Sequence, residues 1–448
     1  MLPPPTLFTE AAQGWHLERL YADLAVAKGQ FASHKKPGLT SVEKVRLRGL
    51  LCGYSPAEIA QQQFTAIKTV EVALSQTLYR YVEALTARSL NTLESWRNVA
   101  DWLRQAGYEN AVIEINWQQV PDVPVFYGRQ TELSQLRDWV EPSAALACRL
   151  ITLYGPGGIG KTTLAIKLAE ATRSRFDCLI WQSLRHRPQL TAVLSHWLKA
   201  LPQLPTAPAA SLYEQISQLM AYLRDRRCLI LLDNLDTVLQ PGNLAGQYQE
   251  TYRDYSELIR RLGEEQHTSC VIITSRELTR EIARLTGPQC PVRSLKIQGL
   301  GPAARQILAE ENLQEDPQWN QLIRIYRGNP LILKLVSNTI REIFSGSVIS
   351  FLRQGITLIT SDVSRLIEQQ FERLCPAEQS LLYRLARAGE PLPPEALQQP
   401  PGPETFQALE SLVRRSLVER SAAGFTLRPV VKEYVYARWQ REQRETSA

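Results

Sequence analysis

Much that would mark a specialised chain is missing from this one. No apolar run reaches the ~18 residues that a membrane-spanning helix needs. The opening MLPPPTLFTE has neither the basic start nor the apolar core of a secretory signal. Both absences predict a cytoplasmic protein with no membrane partner. The seven cysteines (Cys52, Cys148, Cys178, Cys228, Cys270, Cys290 and Cys375) include no CxxC pair, and several sit within apolar runs. They read as small core residues of a reducing compartment. The five histidines (His16, His34, His186, His196 and His267) show no metal-ligand spacing. Charge of one sign is scarce as well. A net +6 over 448 residues permits a local basic patch but does not announce a nucleic-acid binder. No repeat of roughly 20–50 residues recurs along the chain.

What is present is an ordinary globular composition, 44% apolar and 21% charged. The length predicts about two to four domains. Residues 1–110 read as mostly helical, with apolar residues at three- and four-residue spacing. Residues 111–124, punctuated by Pro121 and Pro124, read as a linker. From 125 to 300, short apolar runs alternate with helical stretches: LITLY from Leu150, CLIW from Cys178, CLILL from Cys228, CVIIT from Cys270 and, more weakly, VRSLKI from Val292. That alternation predicts a parallel sheet with helices on both faces. Residues 301–360 turn helical again. Residues 361–448 hold helices and one strand candidate, GFTL at 424–427, with a Pro-rich loop at 391–404.

Three stretches carry chemistry. LITLYGPGGIGKTTLAIKLAE fits GxxxxGK[ST] over Gly155–Thr162, directly after an apolar strand and opening an amphipathic helix. Gly155, Gly157, Gly158 and Gly160, with Pro156 and Ile159 between them, let backbone N–H groups surround phosphates at a helix N-terminus. Lys161 is placed to reach the β- and γ-phosphates, Thr162 to ligate Mg²⁺, and Thr163 to close the motif. CLILLDNLD follows about 70 residues later and ends a buried strand on Asp233, the expected Mg²⁺ carboxylate. Many ATP-hydrolysing machines place an acidic residue directly after that aspartate. Here Asn234 stands there, and an amide cannot take a proton from water. Asp236 is the alternative acid. SCVIITSRE ends a third strand on Thr274, Ser275 and Arg276. At the carboxyl end of a parallel sheet, an arginine can report on a γ-phosphate.

Together these residues resemble the NB-ARC branch of the STAND signalling ATPases, which includes apoptosome and plant immune-receptor switches. The likeness is nearer to cyanobacterial NB-ARC proteins that usually carry C-terminal WD or TPR repeats. FYGRQTEL (126–133), GPGGIGKTT (155–163), LIWQSLR (179–185), IITSRE (272–277), GNPLILKL (328–335), LIEQQFERL (366–374) and SLVERSAAGFTLRPVVKEYV (416–435) carry it, over about residues 120–445. The resemblance implies an α/β P-loop NTPase fold, a parallel sheet flanked by helices over 125–300. It adds a small helical domain (301–360) and a C-terminal winged helix (361–448) to the helical N-terminal domain (1–110) read from the apolar spacing. It implies ADP/ATP and Mg²⁺ as ligands, with Phe126, Arg129 and Pro330 at the ADP pocket and Arg276 sensing the γ-phosphate. Where relatives carry Met-His-Asp, this sequence has Leu427, Arg428 and Pro429. Arg428 is either the substitute lock on the β-phosphate or a surface residue.

The implied function is a slow ADP/ATP switch of bacterial signal transduction that self-associates in the ATP state. Its usual repeats do not follow here, so a sensor or effector protein in trans is an expected partner, unless the sensor has been lost. Residues 38–82 resemble a helix-turn-helix, with SPAEIA as first helix and AIKTVEVAL as second. Five basic residues (Lys44, Arg46, Arg48, Lys68 and Arg80) against three acidic ones (Glu43, Glu58 and Glu71) give this stretch a net +2. That is thin for DNA binding by counterion release. A protein-interaction module and a DNA reader both stay open, and with the latter a transcription regulator gated by its ATPase. An active motor is disfavoured by Asn234.

Overall fold

A computed structural model describes residues 7–31, 38–109, 112–141, 148–202, 211–354, 359–398 and 403–447. His34, the first six residues of the opening and positions 399–402 of the Pro-rich loop lie outside these. The chain divides into two compact units, one running to Ile113 and including Arg173–Asp177, the other Glu114–Thr172 with Cys178–Ala448.

The first unit is helical. Ser41–Leu51 and Pro56–Gln62 each begin at a reciprocal capping box, Thr40 with Glu43 and Ser55 with Glu58. Ile67–Gln76 follows after a short turn, then Leu78–Leu85 and Arg97–Gln105. Leu47, Leu50, Ile59, Val70, Leu74, Leu78 and Val82 face inward from these helices and share one core with Leu20 and Leu24 of helix Leu17–Phe31. The two expected helices at SPAEIA and AIKTVEVAL are therefore present and packed together.

The second unit is built on a six-stranded sheet in the order β1-β3-β4-β5-β2-β6. The strands are β1 (Ile113–Ile115), β2 (Leu150–Tyr154), β3 (Cys178–Ser183), β4 (Cys228–Asp233), β5 (Cys270–Ser275) and β6 (Val292–Lys296). Every pairing among β2 to β6 is parallel. Strands covered on both faces read as nearly unbroken apolar runs, which is why β2 to β5 are plain in sequence, while half-buried β6 shows more weakly. Burial continues past two of the expected ends, taking in Asp233 and Ser275 at the tips of β4 and β5.

Three expectations need correcting. The segment 111–124 is not only linker: it holds β1 and a turn of 3₁₀ helix, Trp117–Gln119. Three residues, Ile-Glu-Ile, are too few to show a period. The Pro-rich loop is shorter than expected, because Ala396–Gln398 is a 3₁₀ turn and helix Pro403–Arg414 begins within it. GFTL (β8, Gly424–Leu427) is paired antiparallel with a second strand, β7 (Val418–Ser421), whose VERS sequence is too polar to announce one.

After the sheet come helices Ala304–Glu310, Trp319–Ile325, Pro330–Phe344 and Val348–Arg353, then Ser361–Phe371, Pro376–Arg387, Pro403–Arg414 and Pro429–Ser447 around the β7–β8 hairpin. Their buried faces form one continuous apolar core from Ala304 to Val435. No described helix is long and apolar enough to cross a membrane.

Candidate nucleotide site

The site sits at the carboxyl ends of three neighbouring strands, β4, β5 and β2, where a parallel sheet gathers ligands. The loop after β2 turns through Gly155, Gly158 and Gly160, at φ of +152°, +73° and +97°. Gly158 is required twice over. Its φ disfavours a side chain, and a Cβ there would lie 2.4 Å from that of Leu331. Helix Lys161–Thr172 starts where the loop ends, so its first N–H groups and its dipole point at the loop's interior.

Lys161 is 8% exposed, and its Nζ donates to the carbonyls of Gly155 (3.0 Å) and Pro156 (2.9 Å). Burial pushes its pKa down to about 8, with Arg276 adding to the fall and Asp236 and Asp233 opposing it. Asp233 is the hub of the acidic side. Its Oδ1 accepts from Thr162 Oγ1 (2.6 Å) and Thr274 Oγ1 (2.7 Å), and its Oδ2 accepts from Asn234 Nδ2 (2.7 Å). Burial raises the Asp233 pKa against the two hydroxyl hydrogen bonds and Lys161 that lower it. An aspartate and a hydroxyl at 2.6 Å, beside a loop of inward N–H groups, are the hard oxygen donors that suit Mg²⁺ on a polyphosphate. The residues fit the expected nucleotide and metal.

Asn234 adopts the left-handed conformation at φ +63°, and its N–H donates to Thr274 Oγ1 (3.0 Å). Its side chain therefore braces Asp233. Asp236, also buried, accepts the Arg276 N–H at Oδ1 (3.0 Å), and its Oδ2 lies 3.5 Å from the Arg276 guanidinium. The alternative acid is thus engaged with the arginine expected to sense the γ-phosphate.

Arg129 is 7% exposed, at φ +67°. Its Nη2 donates to the carbonyls of Ile159 (2.9 Å) and Gln298 (2.6 Å), and Nη1 pairs with Glu132 (2.7 Å). It ties the phosphate loop to the segment after β6, while Phe126, three residues before it, is half-buried. Pro330 occupies the first turn of helix Pro330–Phe344, suited to a residue without an N–H. The contacts with the loop come from its neighbours. Asn329 caps the helix and sends Nδ2 to the Gly157 carbonyl (3.0 Å), and the Leu331 N–H donates to the Gly158 carbonyl (3.3 Å). Asn329 stood inside the GNPL stretch, but only its capping chemistry could have drawn attention to it.

Arg428 is largely buried and pairs with Glu419 at 3.3 Å, beside an Arg327–Glu419 pair at 2.8 Å. Burial lowers its pKa, which Glu419 opposes. It shares a cavity of about 550 Å³, counted with its open mouth, with Pro156, Gly157, Arg276, Arg327 and Gln370. The two arginines expected to meet phosphate are therefore brought to one cavity on the outer side of the loop. Thr163 is half-buried beside Thr162.

Residues 125–273 match the AAA ATPase domain family. With the loop, Lys161, Thr162 and Asp233 placed as above, this part of the chain has the P-loop NTPase fold. The chain is 40% identical over 340 residues, 71% of its length, to an uncharacterized WD repeat-containing protein of Nostoc sp., of which the match covers 27%. It is 33% identical over 143 residues to regulatory protein AfsR of Streptomyces coelicolor, covering 30% of this chain and 14% of that one. The chain spans about a quarter or less of the length of these curated relatives. Among solved structures it is similar to a signal transduction ATPase with numerous domains (STAND) protein, with a tetratricopeptide repeat sensor, from Pyrococcus horikoshii. That likeness is 20% identical, covers 71% of this chain and 43% of the other, and has a TM-score of 0.36.

Proposed function

We propose that the protein is a nucleotide-dependent switch of the STAND class, resting with ADP and reset by slow ATP hydrolysis. The observation that carries this reading is the shared cavity. Arg276 enters it from the end of β5, and Arg428 enters from the C-terminal region that follows the ATPase domain. A ligand shifts a conformational equilibrium only through unequal affinity for two states. Two arginines from different parts of the chain, meeting different phosphates, provide that inequality. The Asp233, Thr162 and Lys161 cluster would hold Mg²⁺ and the polyphosphate, and the metal would neutralise charge between the β- and γ-oxygens. Asn234 keeps hydrolysis slow, because the position beside Asp233 offers an amide in place of a base.

In this reading residues 301–360 act as the small helical domain and 361–448 as the winged helix, with Pro330 and Phe126 at the ADP pocket and Arg129 bracing the phosphate loop. Opening in the ATP state would allow self-association, and the WD repeats in the Nostoc relative's name are consistent with a repeat sensor acting on the switch. The test is turnover together with particle mass. Turnover well below the ~10 s⁻¹ median of enzymes, with a larger particle in a non-hydrolysable ATP analogue than in ADP, is the expected result. Fast turnover at constant mass would favour a motor instead.

A second reading, a DNA-binding regulator gated by the ATPase, is favoured by the two packed helices Pro56–Gln62 and Ile67–Gln76. The latter exposes Lys68, Thr69, Ser75 and Gln76, but also Glu71 and Val72. Salt-dependent binding to duplex DNA that Lys68→Ala weakens would establish it; no binding at low salt would retire it.

A further inference from the structure

The turn that ends helix Ser361–Phe371 places two polar side chains at the nucleotide site, and neither is explained by packing alone. Gln370 brings its Nε2 to 3.7 Å from where a Gly157 side chain would begin, the same distance as the Arg276 guanidinium carbon. Arg373, three residues on, is 18% exposed at its side chain. Its Nη2 donates both to the main-chain carbonyl of Asp236 (2.8 Å) and to Glu277 Oε1 (2.9 Å). Asp236 is the carboxylate that holds Arg276, and Glu277 is the residue after it. One guanidinium thus grips both Asp236 and Glu277, beside the arginine expected to sense the γ-phosphate.

The grip continues inward. Glu277 is 2% exposed at its side chain and lies 2.9 Å from Arg415 Nη1, while Arg415 Nε donates to Glu378 (2.9 Å). Glu378 also accepts from Ser411 Oγ (2.6 Å), and Ser411 Oγ accepts the Ala245 N–H (2.6 Å). Arg415 Nη2 reaches the Asn243 carbonyl (2.6 Å), and the Arg373 carbonyl accepts the Gly242 N–H (2.9 Å). Arg276, Arg373 and Arg415 balance Asp236, Glu277 and Glu378, so the set is neutral as a whole. Burying so many charges is worthwhile only in one arrangement, since removing any one leaves another uncompensated. A γ-phosphate that draws the Arg276 guanidinium off Asp236 would disturb this balance at the point where Arg373 holds it.

We propose that Arg373, with Gln370, is the positioning element that conveys the state of Arg276 to helices Pro376–Arg387 and Pro403–Arg414. The inference rests on the switch reading above and names the residues through which that switch would act. Arg373 touches no phosphate in it, and its role is to hold Asp236 and Glu277 in register with Arg276.

The test uses the full chain with Mg²⁺ and either ADP or a non-hydrolysable ATP analogue, read by amide hydrogen exchange over 240–246 and 403–415. In the wild type, exchange there is expected to be at least roughly tenfold faster with the ATP analogue, as expected for loss of a hydrogen bond to a charged group. In Arg373→Gln that difference disappears while both nucleotides still bind. Should Arg373→Gln lose its cooperative melt, Arg373→Lys carries the same expectation, because an ammonium can oppose Glu277 without the guanidinium's second reach. A nucleotide-dependent difference that persists in both variants overturns the proposal, as does its loss only together with nucleotide binding. Failure of the wild type to bind either nucleotide sinks the switch reading itself, which is a separate result.

Discussion

The inner and outer sides of the phosphate loop are held in different ways. On the inner side Lys161, Thr162 and Asp233 come from the ends of two strands, with Lys161 bonded to loop carbonyls and Thr162 to Asp233. On the outer side the loop's carbonyls are held by Arg129, Asn329 and Leu331, and Gln370 stands beside Gly157. In the proposed switch the inner side would bind the phosphates, and the outer side would make that binding depend on where residues 301–448 lie.

The contrast can be broken most sharply from the inner side. Lys161→Ala should weaken ADP binding by at least about a hundredfold, as expected for loss of a buried charge-assisted contact, when measured with a fluorescent ADP. Its melting temperature should change little. Next in size is Arg415→Ala, which leaves Glu277 and Glu378 buried without their shared partner. It should cost about 3–5 kcal/mol of unfolding free energy by urea denaturation.

Asn329→Ala removes a helix cap and the bond to the Gly157 carbonyl in one step. A cost of about 1–2 kcal/mol is expected, and ADP release should accelerate while the Mg²⁺ requirement stays. If ADP release were unchanged, the outer side would be mere packing.

The smallest effect is with pH. Lys161 binds phosphate as the cation, and its pKa in the fold lies at about 8. Affinity for ADP should therefore be flat below that pH. Above it, affinity should fall by up to roughly tenfold per unit, measured by titration at fixed ionic strength. Because the folded pKa is depressed, the unfolded chain holds more protons between about 8 and the ordinary lysine value. In the nucleotide-free chain this group's penalty on stability shrinks as pH rises through that window.

The same contrast explains what the sequence could tell. Lys161, Thr162 and the strand before them are close in sequence, and Asp233 ends a run of five apolar residues, so local pattern sufficed. β1 and β7 escaped because Ile-Glu-Ile is too short and Val-Glu-Arg-Ser too polar to show a strand period. Arg129 was named from a resemblance as a nucleotide contact, whereas its guanidinium grips carbonyls of the loop and of Gln298. Arg373, Glu277 and Arg415 were invisible for a plainer reason. They lie 96 and 138 residues apart in pairing with Glu277, and no periodicity links such positions. Asp236 was legible as an acid but not as the partner of Arg276, since that depends on how β4 and β5 align.

The central claim, a resting state held by ADP, is tested most directly by extracting and identifying the nucleotide in freshly purified protein, alongside Lys161→Ala. About one ADP per chain, absent from the variant, is the predicted result. An empty wild-type site, or ATP consumed rapidly and not retained, would contradict it.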